Sequence, residues 1–212
     1  MVNGPGGDPR TAAAPVPSLG RSLLVGGFGF GLASVCVFAT VAFAERWMYE
    51  RLGLAGAYLA WTALFILLGG GALSPLVRER ARLPRFYGLF ALAFAAYAAG
   101  WIGAYFVLRG AAGEWAGSLA GSALMGLVFA AGFGAPRASL RLCAVLFVMN
   151  SIGYFLGSAL NNAVGGTAGM LLWGCVYGPF LGTGLGAALY LAQNARGRVI
   201  ASDDRAARPR PD

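Results

Sequence analysis

The side chains best suited to chemistry are Asn150, Ser151, Tyr154, Ser158, Asn161 and Asn162, all inside one otherwise apolar stretch. Asn150 and Asn161 lie about three helical turns apart and therefore share a face. Amides, hydroxyls and a phenol donate and accept hydrogen bonds, but none of them moves a proton readily at neutral pH. The pattern points to binding rather than reaction. It predicts a polar cleft for a neutral or lipid-like ligand, lined by Asn150, Ser151, Tyr154, Asn161 and Asn162 with Trp101 and Trp173 alongside. The competing expectation is that these groups tie helices together, each contact contributing roughly 0.6–2 kcal/mol.

Other chemistries lack their reagents. The chain has no His and no Lys, and Cys36, Cys143 and Cys175 stand singly in different apolar runs. No general base for a Ser-His mechanism is present, and no spacing for zinc, haem or an iron–sulfur cluster appears. The cysteines read as small buried hydrophobes. Glu45, Glu50 and Glu114 fall at the ends of apolar runs, so no carboxylate sits at depth where a proton relay needs one. The glycine triplets at Gly27-x-Gly29-x-Gly31 and Gly182-x-Gly184-x-Gly186 resemble phosphate cradles only in spelling. They follow no strand, and no P-loop lysine accompanies them. The expectation is a non-enzymatic protein with no metal and no cofactor.

The elements that must position these groups are transmembrane helices. Hydrophobic residues make up 58% of 212 and charged residues 11%, against roughly 25% charged in an ordinary soluble domain. Six apolar runs reach the length of about 18 residues that marks a spanning helix: 22–44, 54–77, 86–108, 115–135, 142–163 and 168–192. The predicted fold is all-α, a compact bundle of six transmembrane helices over residues 21–193. Residues 1–20 read as a disordered cytoplasmic lead and 194–212 as a basic disordered tail. Ala42-Phe43-Ala44 imitates a signal-peptide cleavage site, but the apolar core before it is too long for one and predicts a retained helix. Arg78–Arg85 reads as a solvated turn in which Pro84 stops the preceding helix.

The net charge of +8 comes from sixteen arginines. Counted between runs, thirteen fall on one side of the membrane and three on the other. Arginine near span ends is retained in the cytoplasm, so both termini are predicted inside. Orientation accounts for the basic charge, and nucleic acid is not called for. Trp47, Trp61, Trp101, Trp115 and Trp173 all fall toward the outer side in this threading. Interfacial preference explains residues at a boundary. It does not explain why all five share one side.

The last run carries Gly174, Gly178, Gly182 and Gly186 at four-residue spacing, with Pro179 between them. Such a strip resembles a glycine zipper, along which helices approach closely because no side chain intervenes. Gly153 and Gly157 form a shorter pair of the same kind. Pro179 predicts a kink that frees the Cys175 carbonyl, with neighbouring helices or the Thr183 hydroxyl available to satisfy it. Abundant Ala, Gly and Arg without Lys suggests a GC-rich genome, hence a multi-pass protein of a bacterial cytoplasmic membrane. The leading functional expectation is an accessory or scaffold subunit packing on partner transmembrane helices, in a homo- or hetero-oligomer surrounded by lipid. The alternative is a passive channel or facilitator for a small neutral or lipid-like solute, centred on the fifth span.

Overall fold

A computed structural model describes residues 17–77 and 83–206. It is 95% helix, with no strand among the described residues. Helix α1 (Leu19–Val25) passes through one π-helical turn (Gly26–Phe30) into α2 (Gly31–Leu73), which closes in a 3-10 turn at Ser74–Leu76. There follow α3 (Leu83–Leu108), α4 (Gly110–Gly132), α5 (Ser139–Val164) and α6 (Gly166–Ala206). Five helical runs are long and apolar enough to cross a membrane, the first extending from Leu19 to Leu76.

That first run differs from the expectation of two spans joined by a loop. A straight helix of its 58 residues would be about 87 Å long, nearly three times a bilayer core. It is broken at Gly53 (φ 69°, ψ 177°), and its arms 31–52 and 54–73 pack against each other. Phe30 stacks on Phe65 at 5.7 Å, and Val37, Met48, Ala57 and Trp61 share one buried cluster. Early residues of one arm thus meet late residues of the other, as an antiparallel hairpin requires. The connecting stretch stays helical because Glu, Arg, Met and Leu favour helix. Arg46 also pairs with Glu50 at 2.8 Å across one exposed turn.

The other hairpins repeat the device. Arg109 (φ 56°, ψ 165°) alone separates α3 from α4, and Gly165 (φ 72°, ψ 170°) alone separates α5 from α6. Gly53, Arg109 and Gly165 share one backbone conformation, nearly closed to residues with a side chain, and after the latter two Gly110 (φ 54°) and Gly166 (φ 58°) also have positive φ. Pro84, expected to stop a helix, instead sits in the first turn of α3, where its missing N–H leaves no bond unmade. The preceding run ends earlier, at the 3-10 turn holding Pro75.

Chain ends also depart from expectation. Ser18 caps α1 by accepting from the Arg21 amide, so helix begins inside the expected lead, whose residues 1–16 lie outside the described ones. At the other end α6 runs to Ala206, well past the predicted end of the span. Gln, Arg and Ala are good helix formers, and no proline intervenes before Pro209. Gln193 is buried and donates from Nε2 to the Leu76 carbonyl at 3.1 Å, covering the exposed end of the 3-10 turn. Residues 207–212, with Arg78, Arg80 and Arg82, lie outside the described residues.

Candidate functional site

The glycine strip of α6 is consumed inside the chain. A Cβ at Gly174 would stand 2.6 Å from Phe38 Cβ, and one at Gly178 would stand 2.9 Å from Gly31 Cα. At Gly182 the neighbours are the Gly26 carbonyl and Phe30, and at Gly186 the Ser22 carbonyl. The face therefore packs backbone to backbone against α1, the π-turn and the first arm of α2. Pro179 rests against Gly31, and α6 remains helical on both sides of it. Thr183 donates to the Pro179 carbonyl at 2.8 Å, not to the Cys175 carbonyl as expected, because that acceptor lies one turn back along its own helix. Cys36 and Cys175 are exposed rather than buried as expected. Cys143 is half-buried, its Sγ donating to the Ala123 carbonyl at 3.4 Å.

Two further sets of glycines seat aromatic residues. On α4, Gly113, Gly117 and Gly121 face Tyr105, Trp101 and Tyr97 of α3 in antiparallel order. On α5, Gly157 and Gly153 face Trp173 and Tyr177 of α6 in the same way. Side chains this large fit beside a neighbouring helix only where that helix has none. The rings are thereby held on the inner side of the bundle.

They surround a cavity of about 240 Å³. Its wall combines the two arms of α2 (Phe38, Tyr58, Trp61, Phe65) with α3 (Phe94, Tyr97, Trp101), α5 (Tyr154) and α6 (Trp173, Tyr177). Val37, Val41, Thr62, Ala98 and Ile102 complete it. Trp61, Trp101 and Trp173 each lie eight residues along the chain from a break, at Gly53, Arg109 and Gly165. At 1.5 Å per residue all three stand about 12 Å in from the same end of the bundle. This common tier accounts for the one-sided tryptophans: three of the five line the cavity.

Polar atoms form its floor. Asn150 is fully buried; its Oδ1 accepts from the Tyr97 hydroxyl at 2.8 Å and the Tyr177 hydroxyl at 3.2 Å. Its Nδ2 donates to Ser118 Oγ at 2.8 Å, and Ser118 and Ser151 share a bond of 2.7 Å. The network joins α3, α4, α5 and α6 and leaves the Asn150 amide satisfied. Beyond it the interior is closed by Phe90, Phe129, Leu146 and Leu185, each fully buried.

No protein-family model, curated protein or solved structure matches this chain.

The expected cleft is therefore divided. Tyr154, Trp101 and Trp173 line the cavity; Asn150 and Ser151 support it from below without lining it. Asn161 and Asn162 are not brought to it. The Asn161 carbonyl accepts from the Gly165 amide at 2.7 Å in the α5–α6 turn, and Asn162 is exposed. Sequence reasoning missed Trp61, Tyr97, Tyr177 and the phenylalanines. Their signal was present in the shared level of the tryptophans and in tyrosines set within apolar runs.

The rim is acidic. Tyr49, in the connecting segment 45–53, packs edge-on to Trp61 at 5.7 Å and lies within range of the Glu45 carboxylate. Burial first, then Tyr58 and Glu45, push its hydroxyl up to about 12, so it stays a neutral donor at physiological pH. Glu114 lies within range of the Tyr154 hydroxyl. The indole N–H groups of Trp61, Trp101 and Trp173 are buried without an acceptor. Such orphans are uncommon and cost about 1–3 kcal/mol each.

Proposed function

We propose that this chain is a non-enzymatic, ligand-binding protein of a bacterial cytoplasmic membrane, crossing it six times with both termini inside. The hairpin at Gly53 supports the sixth crossing, and the thirteen-to-three arginine division supports the orientation. The ligand is a lipid-like amphiphile held in the aromatic cavity. The observation that carries this reading is the aromatic cavity itself. A lipophilic molecule would fill this open, apolar pocket with dispersion contacts. The closed floor at Asn150 and Phe90 favours binding from one side over a through-going channel. A scaffold role drew its support from free glycine faces, and those faces are occupied within the chain.

The test is native mass spectrometry of protein purified in mild detergent, paired with an Ala98→Trp variant that fills the cavity. A bound small molecule present in the wild type and absent from the folded variant is the expected result. Equal occupancy in both proteins, or none in either, counts against the cavity as the functional site.

A further inference from the structure

Resting on that cavity reading, we infer that the amphiphile's head is an organic cation, a quaternary or substituted ammonium held among aromatic rings with carboxylates at the rim. Ten of the fifteen lining residues are aromatic, and none is charged. Ring faces carry negative charge density and attract a cation most strongly where water is excluded. A quaternary ammonium suits such a wall because its methyl groups offer no N–H that must be hydrogen-bonded.

The wall's unpartnered indole N–H donors call for an acceptor elsewhere on the amphiphile, and the head itself meets no competing acceptor. The Tyr97 and Tyr177 hydroxyls are already bonded to Asn150, so the floor offers a ligand no free carboxylate or amide. Formal charge near the cavity is supplied by Glu45, beside Tyr49, and by Glu114, beside Tyr154. Of the arginines at that end two are engaged, and Arg51 is exposed. Arg46 is paired with Glu50, and the Arg109 guanidinium lies 4.6 Å over the Phe106 ring. The wall accepts a positive charge without requiring hydrogen bonds, and Glu45 and Glu114 are the carboxylates nearest its tyrosines. Three tryptophans at one level give the head a defined depth, about 12 Å below the turns.

The experiment is a tryptophan-fluorescence titration of the full chain in lipid nanodiscs, corrected against empty nanodiscs. Choline is compared with its uncharged isostere, the alcohol in which carbon replaces the quaternary nitrogen. Binding of choline about tenfold tighter than the isostere is expected. The double variant Glu45→Gln/Glu114→Gln should weaken choline several-fold and leave the alcohol unchanged. Equal affinity for the two overturns the cation while leaving the cavity reading intact. So does failure of both when native mass spectrometry still finds an uncharged lipid that Ala98→Trp removes. If neither probe binds and no lipid depends on Ala98, both readings fall.

Discussion

Two seams hold this bundle together in opposite ways. Where α6 meets α1, the π-turn and the first arm of α2, glycine faces glycine, serine or the Cβ of a phenylalanine, and the helices approach until a single methyl group would collide. Where the second arm of α2 faces α3, α5 and α6, large rings meet large rings around a void. In lipid the hydrophobic effect does little to press helices together, so packing decides both outcomes. Small residues allow complete closure. Rings of fixed shape meet at edges and corners, and what they cannot fill remains open. The cavity thus follows from the choice of side chain, and its persistence needs no looseness elsewhere. Lipid-facing positions such as Leu140 and Val107, 82% and 80% exposed, take no part in either seam.

The contrast is broken most directly at Gly186. A leucine there must displace the Ser22 carbonyl, a backbone atom that cannot swing aside. Gly186→Leu is expected to cost about 3 kcal/mol or more, read as lost monodisperse yield and a lowered melting temperature in detergent. Gly103→Leu is the control, because nothing lies within 4 Å of a Cβ at that position. If the two variants melt together, the glycine seam is not the tight one.

Asn150 comes next. Replacing it with leucine leaves the Tyr97 and Tyr177 hydroxyls without their shared acceptor and Ser118 without its donor. A loss of about 2–3 kcal/mol in thermal stability is expected for Asn150→Leu. Asn161→Leu, at the turn, should change stability by less than about 0.5 kcal/mol, since only the Asn161 backbone carbonyl holds that turn. Equal losses would restore the single continuous cleft that helical spacing suggests and this structure divides.

Helix placement was legible because hydropathy reports it directly. Runs three to six begin and end within a few residues of α3, α4, α5 and the start of α6, with α6 alone running on past its predicted end. The glycine strip was legible as a packing face, but its partner was not. Four-residue spacing says that a helix can approach, and nothing local says that Ser22, Gly26 and Gly31 will be the ones. The break at Gly53 was hidden because the residues around it favour helix on both sides. The cavity was the least legible feature, being assembled from five separate segments whose shared depth emerges only when each tryptophan is measured from its own turn. Asn150 and Asn161 were linked by periodicity alone. The tyrosines that claim Asn150 come from helices more than 25 residues away in sequence.

Filling the void tests the aromatic seam without unfolding it. Ala98 lines the cavity and is half-exposed, so an indole there grows into open space. Ala98→Trp is expected to shift stability by less than about 1 kcal/mol while abolishing ligand occupancy. A large loss of stability would mean that the void is smaller or stiffer than its wall implies.

The smallest effect concerns the turns that set the tryptophan tier. Gly53 and Gly165 adopt a backbone conformation that glycine enters freely, and Arg109 adopts the same one with a side chain attached. Strain of this kind costs of order 1–3 kcal/mol. Part of the benefit of removing it is offset, since glycine gives up about 0.5–1 kcal/mol more chain entropy on folding. The guanidinium held over Phe106 would also be lost, a contact of about 0.5–1 kcal/mol. Arg109→Gly should therefore stabilise the protein slightly, by about 0.5 kcal/mol, raising the melting temperature by a degree or two. Arg109→Ala removes the guanidinium but keeps the strain, so it should destabilise by a similar amount. The opposite signs separate backbone from side chain: if both variants destabilise equally, the α3–α4 turn is held by the Arg109–Phe106 contact and its likeness to the glycine turns is only geometric.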